Sequence, residues 1–291
     1  MGMGAVDLEA VLEFRAKGWV CDNGRIVELG SQQISSDVIG NEPLLNRIRE
    51  AFDREPVIPE GERPLSIRFW QSLGYEYLSV DIEGQNILPL DLNFDSVPLH
   101  LRNRYHLATN FGTTEHVINQ LNAFKILHDL VGPGCMMLHN VPSSGFLDHG
   151  LVNYTPKFFW RLARANGYRV TAFRYIGNPS EKQRIPGPLR DYFGSLDPEF
   201  EAKEPQMAYS NISLLVGLQK QFDIDFVPPI DLADDAEAPT EEIRDRYWTE
   251  FDKNPWQQAK KGVGREKRSV GVAGYVFARR LLAAAYRRLR R

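Results

Sequence analysis

The segment from Tyr105 to Val170 restricts the fold more than any other part of the chain. It has the pattern of a strand, a polar loop, a helix, a Gly-Pro-Gly turn, a buried strand, a second polar loop and another helix. Val117 to Val131 carries apolar residues at helical spacing, whereas Cys135 to Leu138 is a short apolar run. Strands that alternate with helices predict a mostly parallel sheet, and open sheets of this kind bind ligands where their strands end. The two polar loops therefore mark a candidate site.

The same alternation extends over the rest of the chain. The helices predicted elsewhere are Asp7 to Lys17, Leu44 to Phe52, Ser66 to Leu73 with Ser66 as its cap, and Pro156 to Ala165. The strands predicted elsewhere are Arg25 to Leu29, Tyr77 to Ile82, Ile87 to Leu92, Tyr105 to Thr109, Tyr168 to Tyr175, and a terminal antiparallel pair, Asn211 to Leu218 with Ile224 to Val227. This order predicts an α/β fold with a Rossmann-like, doubly wound sheet.

Composition is ordinary for a globular protein, with 43% hydrophobic and 25% charged residues among 291. The net charge of -3 argues against a nucleic-acid partner, but it is unevenly distributed. Residues 260–291 hold eleven Lys or Arg and one acid, a net charge of +10, so the rest of the chain carries -13. We expect this basic tail to form a helix that contacts an anionic membrane surface, packs on the acidic body, or remains disordered.

Changes of composition divide the chain into four parts. Residues 1–24 are predicted to form an N-terminal helical segment, 25–228 the α/β domain, 229–259 an acidic linker with a helix, and 260–291 the basic tail. Cys21 and Cys135 give no disulfide framework, and the N-terminus lacks the basic region of a signal peptide. We therefore expect a cytoplasmic protein, with peripheral membrane contact through the tail as an open alternative.

Acidic residues stand where the first three strands end. Glu28 and Gly30 close the first strand, and a glycine there lets the backbone approach a ligand. Asp81 closes the second strand, where a carboxylate can accept hydrogen bonds from both hydroxyls of a ribose. Asp91 lies between two leucines and can bind an adenine amino group. Each of these residues is also compatible with an ordinary turn, where acids are common.

In this order, the segments resemble the class I S-adenosylmethionine-dependent methyltransferases of small-molecule type. The resemblance spans Arg25 to Val227. It rests on Glu28-Leu29-Gly30 as the first motif, Asp81 as the ribose acid, Leu90-Asp91-Leu92 as the third-strand acid, Thr113-Thr114-Glu115-His116-Val117 after the fourth strand, Leu127 to Gly134 as the end of the following helix, and Ala165 to Val170 as the step into a late strand.

The resemblance implies a seven-stranded sheet with a late antiparallel strand and S-adenosylmethionine as the cofactor. It implies methyl transfer to oxygen or nitrogen of a small-molecule or glycan-like acceptor. The residues that it implies for cofactor binding are Glu28, Gly30, Ser31, Asp81, Asp91, Asn110 and Glu115. Ser31-Gln32-Gln33 replaces the repeated glycines of the family's first motif, and this departure motivates an alternative, a methyltransferase-like binding protein without catalysis. A nucleotide-dependent oxidoreductase is a further alternative, disfavoured because no G-x-G-x-x-G turn is present.

Methyl transfer to a hydroxyl requires a base, and histidine is the natural choice because its pKa lies near neutrality. We predict His139 and His149 as the catalytic residues, since both follow the fifth strand. Asp148, Asn153 and Tyr154 are predicted to bind the acceptor. These histidines can equally serve to hold loops by hydrogen bonds. The spacing of the histidines matches no H-x-x-H or HExxH motif, so no metal site is predicted, and zinc binding by Glu115, His116, His139 and His149 stays open only as a minor alternative.

Overall fold

In the computed structural model, the residues described are 2–82, 87–146, 149–177 and 211–230, and they contain one seven-stranded sheet in the order β3-β2-β1-β4-β5-β7-β6. Strands β1 to β5 run parallel, and β7 is antiparallel to both β5 and β6. The strands are β1 Arg25–Leu29, β2 Glu76–Asp81, β3 Ile87–Pro89, β4 Tyr105–Phe111, β5 Val131–Ser144, β6 Arg169–Ile176 and β7 Ile212–Gln219. The predicted fold class, with one late antiparallel strand, is confirmed.

Helices cover both faces of the sheet. The helices are α1 Ala5–Ala16, α2 Glu42–Phe52, α3 Ile67–Ser72, α4 Gln120–Leu130 and α5 Pro156–Ala165. Apolar residues of α1, α2 and α3 form one core with Leu107, while those of α4 and α5 form a second core with Ala108. Neighbouring residues of a strand thus enter opposite cores, because side chains alternate across a strand. The sheet is therefore doubly wound.

Side chains cap three of the helices, whereas the one cap predicted from the sequence does not form. The side chains of Asn41, Asn119 and Thr155 accept hydrogen bonds from backbone N–H groups in the first turns of α2, α4 and α5. Ser66 precedes α3 as predicted, but its side chain makes no capping bond. Its hydroxyl instead donates to the buried Glu28 at 2.6 Å, so the predicted cap was wrong.

The predicted strand at Ile224 to Val227 was also wrong. Both edges of β7 are occupied by β5 and β6, so no edge is left for a further strand. Side chains bind the polar backbone groups of this segment instead: His128 Nε2 donates to Ile224 O at 2.6 Å. The amide of Asn166 bonds both the N–H and the C=O of Val227, at 2.8 and 2.9 Å.

The largest shift of boundaries is in β5, where the predicted Gly132-Pro133-Gly134 turn is instead an irregular part of the strand, opposite a register shift in β4. Strand β5 runs on to Ser144, well past the predicted end at Leu138, and α4 begins at Gln120, after a short 3₁₀ helix at Thr114–His116. The predicted linker helix and basic tail lie outside the described residues, and the four-part division of the chain stays a prediction. Within the described ranges, no helix combines the length and the apolar character of a membrane span.

Candidate active site

A cavity of about 480 Å³ opens at the carboxyl end of the sheet. Strand β1 lies between β2 and β4, so the chain order of the strands reverses at β1, which is where open α/β sheets place their ligand crevice. The loops after four strands line the cavity. Its lining residues are Gly30 to Gln33 after β1, Val80 to Ile82 at the end of β2, Leu90 to Asn93 after β3, and Gly112, Thr113, His116 and Val117 after β4.

The conformation of the loop after β1 requires a glycine at position 30. Its φ is +71°, a left-handed conformation that glycine adopts without strain. A Cβ atom at this position would stand 2.6 Å from Thr113 Oγ1. Thr113 Oγ1 and Gln32 Nε2 both donate to Leu29 O, at 2.6 and 2.5 Å. The loops after β1 and β4 are thus joined directly, and together they form the floor of the cavity.

Asp81 stands in the cavity wall at the end of β2. One carboxylate oxygen accepts from Ser31 N and the other from Ile82 N, each at 2.8 Å. A carboxylate offers about four acceptor positions, so these two bonds orient the group and leave capacity for a ligand. Asp81 therefore keeps acceptor capacity for a ligand at the wall of the cavity.

Asp91 lines the same cavity in a turn after β3. Its side chain accepts from Asn93 N at 2.8 Å, and its own N–H donates to Asp95 Oδ2 at 2.7 Å. The neighbouring Leu90 and Leu92 are buried and give this part of the wall an apolar surface. A flat, partly polar ring could pack against these leucines, because apolar walls with a few polar groups are typical of small-molecule pockets.

Glu28 does not reach the cavity. It shares the strand face of Ile26, which points toward the α1–α3 layer, and it has no solvent exposure. Its carboxylate accepts from Ser66 Oγ, Trp70 Nε1 and Tyr77 OH at 2.6 to 2.7 Å. Burial nevertheless raises the pKa of the Glu28 carboxyl, because desolvation outweighs these donors. The group fixes α3 against the sheet, and its predicted contact with the cofactor stays a prediction.

Asn110 and His139 also lie beneath the site, in contact with each other. Asn110 Nδ2 is 3.2 Å from His139 Nδ1 and 2.9 Å from Thr114 Oγ1. His139 packs between Phe124 and Phe159 and is 1% exposed. Burial lowers the pKa of His139 to about 3, so the ring stays neutral near neutral pH. The hydrogen bonds tie the end of β4 to β5, and the ring has no access to the cavity.

Glu115, His116 and His149 come together beside the cavity, although His149 lies on a different loop. Their potential ligand atoms all lie within 4.8 Å of one another. His149 Nε2 is 3.3 Å from Glu115 Oε1, and the rings of His116 and His149 meet edge to face. Burial raises the pKa of the Glu115 carboxyl to about 7. His116 is exposed and lines the cavity, so it connects this group of three to the candidate cofactor pocket.

The residues predicted to bind the acceptor are not gathered in one place. Tyr154 is buried, with its hydroxyl 2.6 Å from Gln120 Oε1 and 2.8 Å from Thr114 Oγ1. Asn153 donates to Gly145 O at 3.0 Å and so braces the loop that carries His149. Asp148 lies outside the described residues. The roles of these three residues in acceptor binding stay predictions.

The cavity is also lined by Gln32, Thr113 and His116, which are not among the site residues predicted from the sequence. Gln32 is 4% exposed and bonds to Thr113, which makes it part of the cavity frame. The motif Gly112-Thr113 directly after β4 was the available signal, because a glycine at a strand end permits close backbone approach. His116 belongs to the segment after β4 that carries the resemblance, and its side chain lines the cavity.

No family model and no curated protein matches the sequence. Several solved structures are similar in fold at low identity. A protein from Bacillus halodurans is 10% identical over 75% of this chain and 100% of its own, with a TM-score of 0.44. The 1,6-didemethyltoxoflavin N1-methyltransferase of Burkholderia thailandensis is 12% identical over 74% and 77%, with a TM-score of 0.37. An S-adenosylmethionine-dependent methyltransferase of Mesorhizobium loti is 13% identical over 73% and 99%, with a TM-score of 0.36.

Proposed function

We propose that this chain is an S-adenosylmethionine-dependent methyltransferase that acts on oxygen or nitrogen of a small-molecule acceptor. The proposal rests on the cavity at the carboxyl ends of the neighbouring strands β1 and β4, with Asp81 at the end of β2 and the loop of Gly30 at the end of β1. A ribose on Asp81 would place an adenine between Leu90 and Leu92, near Asp91. The methionine part of the cofactor would then extend along Gly30 toward Thr113.

The methyl group would be delivered near His116, at the side of the cavity where the Glu115–His149 pair lies. Methyl transfer needs the acceptor atom in line with the sulfonium carbon, and a hydroxyl acceptor must also lose its proton. Of the two predicted bases, only His149 lies near this point. We therefore assign His139 no part in the proposed chemistry. We assign Glu28, Asn110 and Tyr154 to the frame that holds the loops, and not to ligand contacts.

Isothermal titration calorimetry with S-adenosylmethionine and S-adenosylhomocysteine tests this proposal on the full chain. We expect both to bind, and Asp81→Asn to bind at least about tenfold more weakly, because hydrogen bonds to a charged group contribute about 1.5–3 kcal/mol each. Asparagine keeps one of the two acceptor oxygens, so the N–H of either Ser31 or Ile82 loses its partner, and circular dichroism checks that the variant is folded before it is titrated. Absence of binding to the folded wild-type chain would reject the proposal.

Glu76→Gln is the matched control, because Glu76 lies on the same strand at its opposite end. It pairs with Arg25 at the surface, with 74% of its side chain exposed, so its loss should alter neither folding nor cofactor binding. Equal weakening by Glu76→Gln and Asp81→Asn would mean that the effect is one of general charge and not of ribose binding. Transfer of a labelled methyl group to a panel of hydroxyl and amine acceptors then separates an enzyme from a binding protein without catalysis.

A further inference from the structure

The two carboxylate oxygens of the buried Glu115 accept no hydrogen bond from another described residue, and this sets Glu115 apart from Glu28. Glu28 and Glu115 both have no solvent exposure. Three side-chain donors reach the Glu28 carboxylate. No such donor from another described residue reaches either carboxylate oxygen of Glu115. A buried carboxylate left in this state costs several kcal/mol unless it is protonated or neutralised by a cation.

The neighbours of Glu115 are the side chains that a transition metal prefers. Its Oε1 lies 3.3 Å from His149 Nε2, and His116 completes a group whose ligand atoms lie within 4.8 Å. Tetrahedral zinc, with bonds of about 2.0–2.1 Å, holds its ligand atoms about 3.4 Å apart. A shift of about 1.4 Å at the longest pair therefore closes the group around an ion, and the exposed ring of His116 has room to provide it.

The backbone holds the two contributing segments together. Leu151 N and Val152 N both donate to Glu115 O, at 2.7 and 3.2 Å. Gly150 has a φ of +78°, and a Cβ atom there would stand 2.8 Å from Glu115 Cγ. Only glycine lets the loop of His149 approach the glutamate this closely. The arrangement is thus built by the fold and does not arise from mobile surface side chains.

We propose that Glu115, His116 and His149 bind one divalent transition-metal ion, such as Zn²⁺ or Fe²⁺, at the wall of the cofactor cavity. Two imidazoles and one carboxylate favour these ions over Mg²⁺ and Ca²⁺, which prefer oxygen ligands. Three protein ligands leave at least one coordination position open. Since His116 lines the cavity, an ion held by these three residues would lie next to the cavity.

The use of the ion in catalysis rests on the proposed function, whereas its binding does not. A hydroxyl acceptor coordinated at the open position becomes more acidic and loses its proton to water. Its oxygen lone pair then forms the new O–C bond, while the C–S bond breaks and its electron pair returns to sulfur, which releases S-adenosylhomocysteine. In this arrangement His149 is a metal ligand, and the activated oxygen no longer needs it as a base.

The test is metal binding by the full chain after removal of metals with a chelator. We expect Zn²⁺ to bind with a stoichiometry of one by calorimetry, and Co²⁺ to give visible absorption bands that Zn²⁺ displaces. Mg²⁺ at the same concentration should compete with neither. Glu115→Gln and His149→Asn should each weaken Zn²⁺ binding at least about tenfold, since each removes one of three ligands. His116→Asn changes an exposed residue, so it keeps the test valid if a buried variant fails to fold.

His100→Asn is the control, because His100 is an exposed histidine in another 3₁₀ helix and should leave Zn²⁺ affinity unchanged. Two results would overturn the proposal: a folded wild-type chain that binds no Zn²⁺ or Co²⁺, or equal binding by the wild type and the ligand variants. Either would mean that Glu115 and His149 form only an ion pair. Asp81→Asn should keep the metal and lose the cofactor, and the metal-free chain is titrated with S-adenosylmethionine separately. Failure of the cofactor proposal is thereby distinguished from failure of the metal proposal.

Discussion

Asp7 provides a quantitative test of how burial acts on an acid in this fold. It lies in the first turn of α1 and is 1% exposed. Its carboxylate accepts from Gly4 N and from Asn140 Nδ2, both at 2.8 Å. Desolvation outweighs these two donors and raises the pKa of Asp7 from 3.8 to about 7. The folded protein therefore holds a proton here that the unfolded chain has already released.

The replacement Asp7→Asn removes the titration and keeps the shape. Asn140 Oδ1 has no hydrogen-bond partner among the described residues, so its amide can turn over and accept from the new side chain. Because the folded pKa is raised, the contribution of Asp7 to stability is complete below the unfolded pKa and is lost as the pH rises through 7. A shift of about three pKa units corresponds to about 4 kcal/mol. The free energy of unfolding of wild type relative to Asp7→Asn should fall by about 4 kcal/mol between about pH 3.5 and pH 7.5.

Urea unfolding at a series of pH values measures this difference, with the fluorescence of the five tryptophans as the signal. Glu50→Gln on α2 serves as the control, because Glu50 is exposed and its loss should leave the pH profile unchanged. A difference between wild type and Asp7→Asn that stays constant with pH would refute the reasoning. It would mean that the helix N-terminus and the two donors keep Asp7 ionised in the folded protein in spite of burial.

Three further substitutions test the site and the stability of the fold. Tyr77→Phe removes the hydroxyl that donates to Glu28 at 2.7 Å, so the free energy of unfolding in urea should fall by about 2 kcal/mol while cofactor affinity stays unchanged. A loss of affinity at unchanged stability would instead indicate that Glu28 contacts the cofactor. Gly30→Ala places a Cβ atom 2.6 Å from Thr113 Oγ1 at a φ of +71°, so calorimetry should detect at least about tenfold weaker cofactor binding. Unchanged binding would mean that the loop adapts to the added atom. Burial lowers the pKa of His128 to about 4, so its contribution to stability is lost as the pH falls from 7 to 4, and the free energy of unfolding of wild type relative to His128→Gln should fall by about 3 kcal/mol in urea. Parallel pH profiles of the two proteins would contradict this.

Much of the fold was predictable because it is encoded in local patterns. The bounds of β1 and α5 agree with the predictions from periodicity, and most other elements differ by a few residues. Prediction failed where long-range partners decide the outcome. Ile224 to Val227 has the composition of a strand, but β7 has no free edge, and His128 and Asn166 bind its backbone instead.

The sequence by itself determined which residue types stand where the strands end, and so where a ligand cavity should form. Asp81 and Gly30 lie there because strand ends follow from the alternation of apolar residues with turn residues. This part depends only on local periodicity and backbone conformation, which a single sequence carries.

The tertiary structure decided what each acid does. Glu28 lies one residue before the end of β1, so the alternation of the strand turns it toward α3, where Ser66, Trp70 and Tyr77 surround it. Glu115 is equally buried, yet its carboxylate lies 3.3 Å from the ring of His149, 34 positions further along the chain. One acid therefore fixes a helix, and the other is available to a cation. The difference arises because donors and ligands come from distant segments that only the folded chain brings together.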